Sequence, residues 1–280
     1  MKKTLLIFIL LLARHACFAY PLPHPFPPFR IAGNLYYVGT DDLTSYLIVT
    51  PKGNILINSE LEANVPMIKS SIEKLGFKFS DTKILLISHA HFDHAAGSHL
   101  IKQQTNSKYM VMDADASDVE SGGRTNFNYA HDPSTYFPKT IVDKILHDGD
   151  RIELGGTTLI AHLTAGHTPG CTSWEIRLKD HGKQYKAIII GSLSVNPGYQ
   201  LIHNKTYPNI LHDYQHAIKV LKALHGDIFL ASHAGMFDLQ KKYTLLNKTK
   251  SNPFIDPQAY EKYIAKQEVM FNRELAKQAL

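Results

Sequence analysis

Ile84-Leu85-Leu86-Ile87-Ser88-His89-Ala90-His91-Phe92-Asp93-His94-Ala95-Ala96-Gly97 is the stretch from which the rest of the chain can be organised. Its first four residues are all apolar, the pattern of a strand buried on both faces rather than one half-open to water. The run leads straight into three histidines and an aspartate within six residues, 89–94. In extended backbone alternate side chains share a face, so His89, His91 and Asp93 project together. The turn into a following helix then swings His94 beside Asp93. Imidazole and carboxylate are ligands that zinc takes, at roughly 2.0–2.2 Å each. A catalytic tetrahedral zinc uses three protein ligands and keeps one position for water. Four groups are therefore too many for one such site and too few for two.

The missing ligands belong at later strand ends. His167 lies in Thr164-Ala165-Gly166-His167-Thr168-Pro169-Gly170, directly after a β-rich run at 157–163. His233 lies in Ala231-Ser232-His233-Ala234-Gly235, after a short apolar run at 227–231. Small residues flank both and let backbone and metal approach closely. The chain has 16 histidines. The others, His181 and His225 among them, lack this context and read as surface or packing residues.

Outward from these segments, strand and helix signals mix along the whole length. Strands are expected at 34–38, 44–49, 54–58, 84–87, 109–112, 144–146, 151–154, 157–163, 172–177, 185–190 and 227–231. Helices are expected at 62–75, 94–104, 207–225 and 256–277. This organisation predicts one layered α/β domain over residues 20–280. Residues 20–29, rich in proline, read as an extended arm that forms neither helix nor inner strand. Residues 121–140 lack periodicity and read as a long loop, a length that points to function. Phe127, Tyr129, Tyr136 and Phe137 make it a candidate lid.

Residues 1–19 read as an export signal: Lys2 and Lys3, an apolar run at 5–12, and small residues at 17 and 19 before Tyr20. Such a run is too short to span a bilayer, which needs roughly 20 apolar residues. Periplasmic localisation follows, with no membrane attachment after cleavage. Cys171 would remain as a lone cysteine, so no intrachain disulfide is expected. The 30 basic and 25 acidic residues give +5, and losing Lys2, Lys3 and Arg14 leaves +2. Neither value demands a polyanionic partner, so nucleic acid is not expected.

The pattern His89-x-His91-x-Asp93-His94, then His167, then His233, resembles the metallo-β-lactamase superfamily across residues 30–250. Within that superfamily the chain resembles the zinc β-lactamases of the third subclass. The resemblance implies a four-layer αβ/βα sandwich, two mixed sheets packed face to face with helices on both outer faces. It also implies two zincs, the first held by His89, His91 and His167 and the second by Asp93, His94 and His233. Gly191-Ser192-Leu193-Ser194-Val195-Asn196-Pro197-Gly198-Tyr199 separates the chain from other relatives, because residues 191–200 contain no Asp, Glu or Cys. Thioester hydrolases and lactonases of the superfamily carry a metal-bridging aspartate near here, and β-lactamases of the first two subclasses carry a cysteine ligand.

The activity so implied is hydrolysis of the β-lactam amide by zinc-activated hydroxide, in a periplasmic monomer acting on penicillins, cephalosporins and carbapenems. Asp93 would orient the attacking water and Tyr199 would donate to the oxyanion. Ser192, Ser194 and Asn196, with Tyr199, would contact the substrate and receive its carboxylate. An exported lactonase or thioesterase with the same two metals, and a non-catalytic zinc-binding protein, are the rival readings.

Overall fold

A computed structural model describes residues 23–246 and 248–279, and the expected signal peptide at 1–19 lies outside them. Among the described residues the first sheet runs in the order β1 (Phe29–Ala32), β2 (Leu35–Tyr37), β3 (Tyr46–Thr50), β4 (Gly53–Ile57), β5 (Thr82–Leu86), β6 (Lys108–Met112), β7 (Lys144–Leu146). The pairs from β1 to β4 are antiparallel and those from β4 to β7 parallel. The second sheet comprises β8 (Arg151–Leu154), β9 (Thr157–Leu163), β10 (Thr172–Asp180), β11 (Lys183–Ile190) and β12 (Ile228–Ala231). There β12 pairs parallel with β11, and the rest of that sheet is antiparallel. The helices are α1 (Val65–Lys74), α2 (Phe92–Ala95), α3 (Ser98–Thr105), α4 (Asp113–Ser121), α5 (Ile210–Leu224), α6 (Leu239–Leu245) and α7 (Pro257–Gln278).

The apolar run at 84–87 explains itself in this setting. Ile84 and Leu86 join the core between the sheets, with Ile55, Ile57, Trp174 and Ile189. Leu85 and Ile87 point the opposite way, into a second core with Val65, Ile68 and Ile72 of α1, Ile101 of α3 and Val119 of α4. On the far side, β12 is covered by α7, where Phe229 and Tyr263 rings lie 4.7 Å apart. The α5 helix is tied in by Tyr260 Oη donating to the Leu221 carbonyl at 2.6 Å. Helix, sheet, sheet and helix stack in that order, the four-layer sandwich that was expected. No described helix is long and apolar enough to cross a membrane.

Several local expectations change. The helix expected at 94–104 is split into α2 and α3 at Ala96-Gly97. Gly97 N donates to the Glu60 carbonyl at 2.9 Å, and a Cβ on Gly97 would sit 2.4 Å from the Ser59 carbonyl oxygen. The proline-rich arm ends in an edge strand, β1, and its Phe26 and Phe29 rings pack on Tyr37 in the core. Helices α4 and α6 were not expected. In α4 the inward face includes Asp115 and Asp118, so no apolar stripe advertises it. The segment between α4 and β7 holds only a short 3-10 turn, Pro133–Thr135, in agreement with a long loop.

Candidate active site

Every expected site residue lies beyond the carboxyl end of a strand, at one edge of the two sheets. This is where α/β folds gather ligands. β5 delivers His89, His91, Asp93 and His94; β9 delivers His167; β11 leads to Ser192; β12 delivers His233. The sheets are sewn together beneath the site by Trp174 Nε1 donating to the Ile87 carbonyl at 3.2 Å and Thr172 N donating to the Ser88 carbonyl at 2.8 Å.

Two groups of side chains result. His89, His91 and His167 present ring nitrogens within 4.8 Å of one another, and the ring nitrogens of His89 and His94 and a carboxylate oxygen of Asp93 meet within the same distance. Ring centroids lie 4.7 Å apart for His89 and His91, 4.6 Å for His89 and His167, and 4.8 Å for His91 and His167. His233 joins the second group, with Nε2 3.5 Å from Asp93 Oδ2 and its ring 4.9 Å from that of His94. The six residues foreseen as ligands thus meet in one place.

The donor set fits a metal. Burial, with the neighbouring imidazoles adding to it, pushes His89 and His91 well below the ordinary histidine pKa. Burial likewise pushes His167 down to about 4. These rings are therefore neutral at pH 7, the form that ligates. Burial alone would raise Asp93, but His94, His233 and His91 together hold its carboxyl below the usual range. His89 Nε2 and both ring nitrogens of His94 are buried without a hydrogen-bond partner. The 3.3 Å approach of His94 Nε2 to Asp93 Oδ2 lacks hydrogen-bond alignment. Buried polar atoms left unpaired are costly, and a cation would satisfy His89 Nε2 and one ring nitrogen of His94.

The second coordination layer was invisible in the sequence. Asp115, 1% exposed, accepts from Ala90 N at 2.9 Å, Thr168 Oγ1 at 2.7 Å and Gly170 N at 2.7 Å. One carboxylate thereby fastens the loop of His89 and His91 to the loop of His167. Burial raises its pKa to about 6 against those three donors. His167 Nδ1 bonds the Ser194 carbonyl at 2.8 Å, which also accepts from Tyr214 Oη at 2.7 Å. His89 Nδ1 lies 3.1 Å from Ser88 Oγ.

A groove of about 510 Å³ opens over the histidines, lined by His91, Phe92, Asp93, His167, His233 and Met236, by Ser194 and Asn196, and by Gly123, Asn126, Tyr129, Asp132, Thr135 and Phe137 of the long loop. No Lys or Arg is among its described lining residues. Ser194 and Asn196 line the groove, and the Asn196 amide donates to Tyr129 Oη at 3.1 Å and so ties the turn to the loop. Ser192 is 1% exposed, with Oγ 2.9 Å from Ser194 Oγ. Tyr199 is buried, donates to the His167 carbonyl at 2.9 Å and approaches His91 Nε2 at 3.4 Å. Its hydroxyl is thus engaged by the ligand loops, behind the groove. Of the loop aromatics, Tyr129 faces His91 and Phe137 lines the groove. Phe127 instead packs on Tyr199 and Tyr207. Tyr136 lies under Arg124.

Comparison with known proteins agrees with this geometry. The family model of the metallo-β-lactamase superfamily matches residues 38–180. The native FEZ-1 metallo-β-lactamase from Legionella gormanii is 70% identical, with 93% of this chain and 99% of that one covered and a TM-score of 0.92. BJP-1, a subclass B3 metallo-β-lactamase of Bradyrhizobium japonicum, is 36% identical, covering 92% of this chain and 96% of that one with a TM-score of 0.86. A probable metallo-hydrolase of Methanocaldococcus jannaschii is 26% identical over 129 residues, which is 46% of this chain and 60% of that protein. The chain thus spans less than two thirds of the length of that curated relative. The match of the family model over half the chain, and the likeness to FEZ-1 over nearly all of it, place the chain in the metallo-β-lactamase superfamily, to which it belongs.

Proposed function

We propose that the chain is a zinc β-lactamase of subclass B3 that opens the amide bond of penicillins, cephalosporins and carbapenems. The observation that carries this reading is the 70% identity to a metallo-β-lactamase over 93% of the chain. The ligand chemistry agrees: residues 191–200 hold no aspartate or cysteine to serve as a ligand, and His94 would complete the second group instead. His89, His91 and His167 would hold one zinc, and Asp93, His94 and His233 the other.

Hydrolysis adds water across the lactam C–N bond, leaving a carboxylate and an amine. When bound, zinc polarises a carbonyl and lowers the pKa of water from about 15.7 towards about 7. Asp93, partly open to the groove, accepts a hydrogen bond from the attacking water and orients it. Ser194 and Asn196 offer neutral donors to the substrate carboxylate. Tyr199 and Ser192 sit one layer back; in this reading Tyr199 reaches a developing oxyanion only by releasing the His167 carbonyl. Residues 1–19 would export the chain to the periplasm, where residues 20–280 work as a monomeric single domain.

The test is hydrolysis of nitrocefin and imipenem by the purified chain, with and without EDTA. Both substrates should be cleaved, EDTA should abolish cleavage, and restoration should require about two equivalents of Zn²⁺. Full activity saturating at one equivalent would refute the two-metal reading. A chain that cleaves lactones or thioesters but neither β-lactam would establish the rival activity.

A further inference from the structure

The second metal group is backed by a carboxylate from the opposite end of the chain. Asp42 lies in the turn between β2 and β3, 191 residues before His233, and its Oδ1 is 3.3 Å from His233 Nδ1. On the other side of the same ring, Nε2 faces Asp93. We propose that Asp42 is a positioning residue for the second zinc, accepting the Nδ1 proton of His233 so that the Nε2 lone pair is held towards the metal. This rests on the zinc reading above and deepens it.

The backbone supports the assignment. The Asp42 carbonyl accepts from Ala234 N at 2.7 Å, and Leu43 forms an antiparallel bridge with His233. Thr44 Oγ1 and Tyr46 Oη both donate to the Ala231 carbonyl, at 2.8 and 2.6 Å. The turn itself is closed by Leu43 N donating to Thr40 Oγ1 at 2.9 Å. Asp42 therefore meets His233 from a segment held to the His233 loop by three hydrogen bonds, although its side chain is 62% exposed. Its neighbour Asp41 is turned away and accepts from His24 N at 2.8 Å. A carboxylate on the far nitrogen of a ligand histidine fixes the tautomer and raises ligand basicity, and losing one typically costs about 10–100-fold in metal affinity. Exposure to water puts Asp42 at the lower end of that range.

The experiment is competition of the purified chain against a zinc chelator, which yields separate affinities for the two equivalents. Asp42→Ala should weaken the second equivalent about tenfold and leave the first unchanged. Asp42→Asn, whose side-chain oxygen still accepts from Nδ1–H, should recover part of the loss. Asp41→Ala should match the wild type. Equal second-site affinity in Asp42→Ala and wild type overturns the proposal, and so does an equal loss at both sites, which marks a general folding defect. A wild-type chain that binds two zincs but cleaves no β-lactam refutes the function and leaves this affinity comparison to decide Asp42. A wild-type chain that saturates at one zinc refutes both.

Discussion

Replacing Asp115 by alanine should unfasten the first metal group without touching a ligand. The carboxylate serves three buried donors, Ala90 N, Thr168 Oγ1 and Gly170 N, at 2.9, 2.7 and 2.7 Å. Truncation strands all three, and each unsatisfied buried group costs about 1–3 kcal/mol. Against this, burial holds the Asp115 pKa at about 6 instead of 3.8. At pH 7 the ionised form therefore carries a penalty on the order of 3 kcal/mol that alanine removes. The net loss should be about 3 kcal/mol, a large share of the ~5–15 kcal/mol that stabilises a typical fold. At ~2–4 °C per kcal/mol, the melting temperature should fall by on the order of 10 °C.

The sign of the pH dependence follows from the raised value. A folded-state pKa above the unfolded one gives stability that is complete below the unfolded pKa of 3.8 and is lost as pH rises through about 6. The deficit of Asp115→Ala relative to wild type should thus be larger at pH 5 than at pH 7. Denaturant unfolding of zinc-free protein at both values reads this directly, and chelator competition should show the first zinc weakened. A variant that unfolds at the wild-type midpoint and keeps wild-type zinc affinity would refute the claim that this carboxylate holds the loops together.

Ser192→Ala should keep two zincs and lower kcat/KM by about tenfold, the scale of one lost polar contact, because Ser192 is buried and bonded to Ser194. Zinc content falling towards one equivalent would make Ser192 a ligand after all. Glu60→Gln should flatten the stability profile on the alkaline side. Burial, only partly offset by Asn64 and Ser45, pushes the Glu60 carboxyl from 4.5 up to about 8. Its contribution is therefore full below pH 4.5 and is lost as pH rises through about 8, a span worth on the order of 5 kcal/mol. An unchanged slope between pH 6 and 9 in Glu60→Gln would remove Glu60 as its source.

What could be read in the sequence, and what could not, divides along a physical line. Ligand atoms must be imidazole or carboxylate, so the density of such groups directly after β5 marked His89, His91 and Asp93, although the two histidines lie in the bend that follows the strand and Asp93 in α2, not in extended backbone. His167 and His233 were marked by following strands among small residues. Their supports obey no such rule, because a carboxylate that accepts from backbone N–H groups is chosen by its partners' places in space. Asp115 reaches donors 25, 53 and 55 residues away, and Asp42 reaches His233 across 191. Helix α4 illustrates the same point at the level of the fold. Its buried side includes Asp115 and Asp118, so the polar pattern that hides it from a hydrophobic-period reading is what lets it brace the site. Tyr199 shows the converse. The residue type suits an oxyanion donor, yet its hydroxyl donates to the His167 carbonyl, a choice set by how the turn at 191–199 folds back against β9's loop. Residue chemistry thus marks the metal-facing atoms, and tertiary contact decides which other polar groups hold those atoms still.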